Sequence, residues 1–294
     1  MTLPMSLPQG LAPLPLQAPL ERAPDGACDA HVHLIDGSGT YPLWDKRVED
    51  PAPYSLDTWL DMYRAHLDNL GCSRGLIVHS ILHGADNSVT VEAVRRMGTG
   101  FKGIGLVTDA ATDAELDQLV DWNMAGVRLN YVHGGVLSWD GVQAMAPRLA
   151  ERGLHVQMLM NAHNHMEQLE AGAKALPVDL VFDHIGWPDV PAGPDEPGFQ
   201  RLLRLLDTGR VWVKLSALYR FSKAPFTDTD PLVAALVKAN PDRCLWGSDW
   251  PHLMLADATM PTAGALLDTF HRVVTSLEDR QKILVTNAQN LFNY

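Results

Sequence analysis

The chain has 294 residues and a formal net charge of -12, with 46% hydrophobic and 20% charged residues. This is the composition of an ordinary globular protein, and the negative charge argues against nucleic acid and anionic membrane surfaces as partners. The three cysteines, Cys28, Cys72 and Cys244, have neither metal-ligand spacing nor a disulfide framework. No stretch has the pattern of a signal peptide or of a membrane span. We therefore expect a cytoplasmic protein.

Residues 1–26 are rich in proline and leucine, which predicts an extended arm that wraps the domain or a partner subunit. After the arm, short apolar runs alternate with amphipathic stretches. The predicted strands cover residues 27–33, 75–80, 102–107, 126–130, 154–160, 179–184, 211–216 and 243–249. The predicted helices cover residues 55–69, 87–97, 113–122, 139–151, 165–176, 198–208, 230–239, 262–276 and 277–291. Ser55 and Asp113 are the N-cap candidates.

Eight strands that alternate with helices predict an α/β fold with a parallel sheet, either closed as a barrel or open and doubly wound. No glycine-rich phosphate loop follows the first strand, which weakens the open, nucleotide-binding alternative. A barrel of this kind takes about 250 residues as one domain. Because no repeat or linker marks a second domain, we expect residues 27–294 to form a single one.

Polar side chains cluster where the predicted strands end, and in a barrel this face carries the chemistry. His31 and His33 lie two residues apart on the first strand and should point to the same side. The sixth strand ends at His184 and the eighth at Asp249. Four titratable groups that converge at one face favour a catalytic centre over four unrelated structural roles.

Further residues near strand ends are candidates for substrate contacts. They are Ser80, His83, Arg128, Asn161, Trp187, Arg220 and His252. Each has an ordinary alternative, because a single histidine is often a hydrogen-bonded structural residue, an arginine a salt-bridge partner and a tryptophan a packing residue. Lys214 lies in the middle of the seventh strand and can pair structurally with a carboxylate.

Three stretches resemble the amidohydrolase superfamily in its amidohydrolase-2 branch: Asp29-Ala-His-Val-His33, Phe182-Asp-His-Ile-Gly186 and Leu245-Trp-Gly-Ser-Asp-Trp-Pro-His252. The similarity spans nearly the whole chain after the arm. It implies a (β/α)8 TIM barrel and a lactonase that opens a carboxylated or sulfonated lactone, in the catabolism of aromatic or sugar-acid compounds. The resemblance makes Asp249 the general base for water, while His31, His33 and His184 polarise the carbonyl and stabilise the oxyanion.

The resemblance leaves two answers about metal. Many superfamily members bind zinc through the two histidines of the first strand, a residue of the fifth strand and the aspartate of the eighth. Here the fifth strand has no clear inward histidine at its end, and His163 lies three residues beyond it. The ligand count favours no required cofactor, and so does the resemblance to lactonases that work without metal. The alternative is one zinc on His31, His33 and Asp249, since three protein ligands and a water suffice.

The arginines predict an anionic small-molecule lactone as the partner. The resembled lactonases hold a dicarboxylate with several arginines, and Arg128 and Arg220 match two of them. Trp187 and Gly134 stand where two others are expected, which favours a substrate with fewer anionic groups, such as a muconolactone derivative, a sulfonated analogue or a sugar-acid lactone. A metal-dependent decarboxylase, a lactone isomerase and a binding protein remain as alternatives, and a homo-oligomer is a further expectation.

Overall fold

The computed structural model describes residues 7–132 and 134–294, and its centre is one sheet of eight parallel strands. The strands are β1 (Cys28–Val32), β2 (Arg74–Val78), β3 (Phe101–Gly105), β4 (Met124–Asn130), β5 (His155–Leu159), β6 (Leu180–Phe182), β7 (Val211–Leu215) and β8 (Cys244–Trp246). The sheet closes between β1 and the segment after β8, where the His33 N–H donates to the Trp250 carbonyl and the Asp249 N–H donates to the His31 carbonyl. The predicted barrel is therefore confirmed, and the open sheet is excluded.

Helices follow the strands and cover the outside of the barrel. They are α1 (Leu56–Leu70), α2 (Ser88–Met97), α3 (Asp113–Asp121), α4 (Trp139–Glu151), α5 (Ala162–Ala175), α6 (Pro197–Leu206), α7 (Asp230–Ala239), α8 (Ala263–Val273), α9 (Leu277–Gln281) and α10 (Asn287–Phe292). A π-helical turn, Lys282–Thr286, joins α9 to α10, so the helix predicted over residues 277–291 is present as three joined pieces.

One of the two predicted N-caps is wrong. The Ser55 side chain accepts the Thr58 N–H and caps α1 as expected. At α3 the cap is Thr112, which forms a capping box with Glu115, and Asp113 lies inside the first turn. Threonine one residue earlier brings its hydroxyl to the N3 amide and leaves Glu115 free to reach back, which satisfies two backbone donors at once.

The barrel interior is apolar at the N-terminal end of the strands. The side chains packed there are Cys28, Ala30, Leu76, Val78, Ile104, Ala125, Val181, Trp212, Leu245, Ala288 and Phe292. The last two belong to α10, which therefore closes this end. Toward the C-terminal end of the strands the inward-facing side chains become polar. Gly247 leaves room for His31 there, because a Cβ on Gly247 would come within 2.7 Å of the His31 backbone.

An irregularity in β1 decides where its polar side chains point. The register against β2 shifts between Asp29 and Val32, and a one-residue shift sends side chains to the opposite face. Asp29 accepts hydrogen bonds from the Ser248 N–H and hydroxyl and lies 3.2 Å from His66 Nε2. His31 and His33 face Asp249 instead. Asp29 thus ties β1, α1 and the end of β8 together outside the barrel interior.

Residues 7–26 lie against the outside of the barrel. The Gly10 N–H donates to the Asp50 carbonyl, Asn69 donates to the Gln17 carbonyl, and the Leu20 N–H donates to Asp268. Four leucines of this segment, Leu11, Leu14, Leu16 and Leu20, are exposed. Residues 1–6 of the predicted arm lie outside the described residues. Among the described helices, none combines the length and the apolar character that a membrane crossing needs.

Candidate active site

The four predicted catalytic residues meet at the C-terminal end of the barrel. Oδ1 of Asp249 lies 3.5 Å from Nε2 of His31, 3.5 Å from Nε2 of His33 and 4.0 Å from Nε2 of His184. The Nε2 atoms of His31 and His33 are 3.3 Å apart. All four residues are buried. Three imidazoles and one carboxylate therefore share a single small volume.

The two oxygens of Asp249 have different surroundings. Oδ2 accepts the Tyr219 hydroxyl at 2.6 Å and lies 3.3 Å from the Arg220 guanidinium. Oδ1 faces the histidines and has no hydrogen-bond partner among the described residues. Burial alone would raise the pKa of Asp249, but the nearby His184 and Arg220 outweigh it and hold that pKa well below its usual value. Asp249 is therefore an ionised carboxylate with one oxygen available as an acceptor.

The backbone is strained at this end of the barrel. Asp249 has a φ of +59°, His184 of +53° and Trp187 of +44°. Such left-handed conformations at non-glycine residues cost about 1–3 kcal/mol each and persist only where the surroundings hold them. Asp249 is held on both sides, because its N–H donates to the His31 carbonyl and its carbonyl accepts the His252 N–H. Two of the four predicted catalytic residues, His184 and Asp249, thus have left-handed backbone conformations.

The imidazoles are buried, and burial favours their neutral form. Burial lowers the pKa of His184 to about 4. Burial, with a contribution from Lys214, lowers the pKa of His31 well below its usual range. Nδ1 of His33 lies 2.7 Å from the Val78 carbonyl, which can only accept, so this nitrogen carries the proton. Nε2 of His33 therefore presents a lone pair to the site, while Nδ1 of His184 pairs with the Ser216 hydroxyl at 2.9 Å.

A buried polar layer lies directly beneath His31. Lys214 Nζ is 3.3 Å from His31 Nδ1, 2.6 Å from Gln157 Oε1 and 3.7 Å from Asp183 Oδ1. The Gln157 amide donates to Asp183 Oδ2 at 3.1 Å. Burial lowers the pKa of Lys214 to about 8, although Asp183 opposes the shift. The expectation that Lys214 pairs with a carboxylate agrees with these contacts, and the contact with His31 is additional.

Arg128 and Arg220 occupy different positions around the site. Arg128 is nine-tenths buried, its terminal nitrogens make contacts of 3.4 and 3.5 Å to the His79 carbonyl and Asp183, and its Nε has no partner among the described residues. Arg220 donates to the Leu253 and Met254 carbonyls as well as to Asp249. Arg128 therefore has donors to spare, whereas Arg220 already orients the Asp249 carboxylate. The prediction that Arg128 and Arg220 bind the substrate stays a prediction.

An open groove of about 880 Å³ leads away from the site. Trp187, Phe221 and Met254 give it apolar walls, and Tyr219 and Arg220 connect it to Asp249. The Trp187 and Phe221 rings meet edge to face, with their centroids 5.2 Å apart. The predicted aromatic wall at Trp187 therefore lies at the approach to the catalytic residues.

The four remaining predicted substrate contacts are Ser80, His83, Asn161 and His252. Nδ1 of His83 pairs with the Pro42 carbonyl and its Nε2 accepts the Asp36 N–H, so its ring supports a loop. The Ser80 hydroxyl accepts the Leu82 N–H, and Asn161 stands at the N-cap position of α5. The His252 ring packs edge to face on Tyr219 at 5.1 Å. Their roles in binding stay predictions, and these contacts favour structural ones for Ser80 and His83.

Sequence reasoning did not select several residues that complete the site. Asp183 and Gln157 are inward-facing polar residues on neighbouring strands, and the two-residue period of a strand could have indicated them. Tyr219 lies in a short 3-10 turn after β7, where no periodic pattern identifies its direction. Its hydrogen bond to Asp249 appears only when β7 and β8 lie side by side.

Among the described residues, two groups have the spacing to hold a metal ion. They are His31, His33 and Asp249, and His31, Asp183 and His184, with the ligand atoms of each group within 4.8 Å of one another. His31 belongs to both groups. Its Nδ1 faces Lys214 Nζ, so any metal in the first group would have to use its Nε2.

Eight parallel strands with this cluster at their C-terminal end define a barrel enzyme of the amidohydrolase type. The amidohydrolase family model, Amidohydro_2, matches residues 28–294, and the chain belongs to this family. A 2-pyrone-4,6-dicarboxylate hydrolase of Comamonas testosteroni is 34% identical over 93% of this chain and 92% of its own length. A 4-sulfomuconolactone hydrolase of Rhizobium radiobacter is 34% identical over 97% of this chain and 96% of its own length.

Solved structures have the same fold. A structure from Acinetobacter baumannii, described as a probable 2-pyrone-4,6-dicarboxylic acid hydrolase with citric acid bound, superposes with a TM-score of 0.80. The match covers 92% of this chain and all of that one, at 23% sequence identity. At this identity the similarity concerns the fold alone.

Proposed function

We propose that this amidohydrolase opens an anionic lactone by hydrolysis. The observation that carries the proposal is Oδ1 of Asp249, a buried carboxylate oxygen without a hydrogen-bond partner among the described residues, surrounded by three imidazoles. An ionised, partnerless acceptor in a buried cluster is suited to take a proton from water. The two hydrolases at 34% identity, whose names specify lactone-type substrates, support the same reaction class.

Asp249 and His33 together can hold the attacking water. Water has two protons to donate, and the site offers two acceptors, Oδ1 of Asp249 and the Nε2 lone pair of His33, which lie 3.5 Å apart. Asp249 takes one proton as the water oxygen attacks the lactone carbonyl carbon. This geometry gives His33 the role of orienting the water rather than that of polarising the carbonyl, which remains with His31 and His184.

The second step opens the ring. The oxyanion of the tetrahedral intermediate accepts hydrogen bonds from His31 and His184, and removing one such donor typically costs about 10²–10³-fold in rate. The bond from the former carbonyl carbon to the ring oxygen then breaks. Asp249 returns its proton to that leaving oxygen, and the product is a hydroxy acid whose new carboxyl group loses its proton to solvent at neutral pH.

The groove and the arginines indicate the class of lactone. Arg128 has spare donors for one anionic group, since its Nε is unpartnered among the described residues. Trp187 gives the groove an apolar wall where the resembled lactonases have an arginine. Both features favour a muconolactone derivative, a sulfonated analogue or a sugar-acid lactone over a pyrone dicarboxylate. The similarity to a 4-sulfomuconolactone hydrolase supports the sulfonated choice.

A panel of lactones tests the proposal. It would contain 2-pyrone-4,6-dicarboxylate, 4-sulfomuconolactone, a sugar-acid lactone and a neutral lactone, with proton release and product NMR as measurements. Hydrolysis releases one proton per turnover at neutral pH, isomerisation releases none, and decarboxylation releases carbon dioxide. Proton release that Asp249→Asn abolishes would support the proposal. Isomerised or decarboxylated product, or an inactive wild type, would overturn it.

The metal requirement, the location and the assembly complete the proposal. We expect turnover to survive chelation, with no zinc required. The three cysteines are free and buried, which agrees with a cytoplasmic location. The exposed leucines of the arm support a homo-oligomer, which light scattering on the purified protein would test.

A further inference from the structure

Lys214 is a fully buried cation that no step of the proposed reaction uses. Its side chain has no exposed surface, and it extends from β7 toward the imidazole of His31. Burying an ammonium is costly unless hydrogen-bond acceptors surround it. The side chains around Lys214 must therefore supply hydrogen-bond acceptors for its ammonium group.

The neighbours of Lys214 match the three donors of an ammonium group. Gln157 Oε1 at 2.6 Å can only accept, and Asp183 Oδ1 at 3.7 Å belongs to a carboxylate. The third neighbour is His31 Nδ1 at 3.3 Å. An ammonium has three donors and no lone pair. His31 Nδ1 must therefore be an acceptor if it bonds to Lys214.

Asp183 is a second neighbour of this nitrogen, at a distance similar to that of Lys214. Its Oδ1 lies 3.2 Å from His31 Nδ1, yet it has no hydrogen-bond partner among the described residues. Its Oδ2 accepts the Gln157 amide, which turns the amide oxygen toward Lys214. Gln157 thus links Asp183 to Lys214 and leaves the Lys214 donor as the partner of His31 Nδ1.

We propose that Lys214 is a positioning residue that fixes His31 in the tautomer with its proton on Nε2, so that His31 is a hydrogen-bond donor to the oxyanion and a poor metal ligand. This inference rests on the proposed lactone hydrolysis for the role of the donor. A neutral imidazole carries one ring proton, and an accepted bond at Nδ1 places that proton on Nε2. In the free site the Nε2–H faces His33 Nε2 at 3.3 Å and Asp249 Oδ1 at 3.5 Å, and during the reaction it is available to the oxyanion.

The contact between Lys214 and His31 also bears on metal binding, because the spacing of three residues suits a metal while the protonation of His31 does not. His31, His33 and Asp249 are spaced to hold a metal, but a histidine nitrogen binds a metal only without its proton. Moving the proton of His31 to Nδ1 would set an N–H against the Lys214 ammonium. The hydrogen bond between His31 and Lys214 would then be lost and two donors would face each other, which is unfavourable even with Asp183 Oδ1 at 3.2 Å from Nδ1. Lys214 therefore opposes zinc at His31.

The first test uses the wild-type protein and requires no turnover. ¹⁵N NMR of histidine-labelled protein, with the His31 signals assigned by their loss in His31→Gln, reports which ring nitrogen is protonated. The expected result is a protonated Nε2 and an unprotonated Nδ1. A proton on Nδ1 would overturn the proposal.

The second test compares metal affinity. Zinc would be titrated against a chromophoric chelator in wild type, Lys214→Met and the control Lys102→Met, which removes a lysine of β3 that makes no contact with His31. We expect Lys214→Met to bind one zinc at least about tenfold more tightly than wild type, and Lys214→Met/His31→Asn to lose that gain. Unchanged zinc affinity in a folded Lys214→Met protein would contradict the proposal.

Activity separates this proposal from the lactone hydrolysis on which it rests. On an accepted lactone, Lys214→Met should lower kcat by about tenfold or more with KM within a few-fold, because the donor matters mainly in the transition state. A loss confined to KM would contradict the positioning role. If wild type opens no lactone while His31 still carries its proton on Nε2, the hydrolysis fails and the tautomer assignment stands.

Discussion

The two ends of the barrel interior use the same eight strands in opposite ways. At the N-terminal end Trp212 and Phe292 pack in an apolar layer, and the buried His155 lies against Phe292. At the C-terminal end Lys214 and Asp249 are buried as charged groups. Burial of apolar surface stabilises the first end, whereas buried charges cost free energy and need compensating partners. The comparison indicates that the N-terminal layer of the interior mainly stabilises the fold, whereas the C-terminal layer holds the groups proposed for catalysis.

The backbone follows the same division. The strands pair in regular register along β4 to β8, and left-handed residues such as His184 and Asp249 come directly after them. Strained conformations are tolerated at the end that carries function and are absent from these regular strands. Changes at the two ends should therefore affect different measurable quantities.

The largest expected effect is on catalysis at the C-terminal end. Asp249→Asn keeps the size of the side chain and its hydrogen bonds but cannot take a proton from water. We expect kcat to fall by at least about 10²-fold, within the range typical of acid–base catalysis, while substrate still binds. Steady-state kinetics on an accepted lactone, with circular dichroism to confirm folding, would measure this.

Ser248→Ala is the matched control for Asp249→Asn. The Ser248 hydroxyl donates to Asp29 outside the barrel interior, one residue before the catalytic carboxylate. We expect a loss of stability of about 1.5–3 kcal/mol, since the missing hydrogen bond goes to a carboxylate, and a much smaller loss of kcat than in Asp249→Asn. Near-normal kcat in Asp249→Asn would show that another group is the base.

The next prediction concerns how the free energy of unfolding depends on acidic pH through His155, at the N-terminal end of the barrel. Burial lowers the pKa of His155 to about 3, whereas an unfolded histidine titrates near 6.5, so the unfolded chain binds the proton first as the pH falls. Stability is therefore lost from about pH 6.5 downward, by up to about 1.4 kcal/mol per pH unit for one proton. His155→Leu should reduce that slope, as measured by urea unfolding between pH 4.5 and 6.5.

The control for His155→Leu is the exposed His163. His163→Leu should leave the slope of unfolding free energy against pH unchanged. Equal slopes in wild type and His155→Leu would mean that other buried groups determine the acid sensitivity. Activity at neutral pH should change little in His155→Leu, because the ring lies at the end opposite to the catalytic residues.

A smaller effect concerns recognition of the anionic group. Arg128→Met removes the buried guanidinium, and a charge-assisted hydrogen bond of this kind contributes about 1.5–3 kcal/mol. We expect kcat/KM for an anionic lactone to fall by about tenfold to a hundredfold, mainly through KM, and to fall much less for a neutral analogue. Equal losses on both substrates would assign Arg128 to structural support of Asp183.

The smallest effect concerns the groove. Trp187→Arg replaces an apolar wall with a cation where the resembled lactonases hold a second anionic group. We expect the ratio of kcat/KM for a dicarboxylated over a monoanionic lactone to rise several-fold, since the added contact is partly exposed to solvent. Phe221→Leu, which alters the neighbouring wall without charge, should leave that ratio unchanged.

The pattern of the sequence is sufficient to predict the barrel and the four residues that meet at its C-terminal end. Apolar runs of strand length alternate with amphipathic stretches, and these local periods depend only on backbone geometry. The His-x-His pair, His184 and Asp249 were predictable because a barrel places strand ends at one face. Element boundaries and the cap of α3 were less certain, because hydrogen bonds such as that between Thr112 and Glu115 decide them.

The pairing of the charged side chains follows from the closed barrel and not from local sequence. Lys214 meets His31 across 183 positions of sequence, and Arg220 contacts Asp249 as well as the Leu253 and Met254 carbonyls. The register shift in β1 sends Asp29 outward although it has the same parity as His31 and His33. Sequence periodicity is a local property, whereas pairings between distant strands and the direction of a side chain after an irregularity depend on how the whole barrel closes.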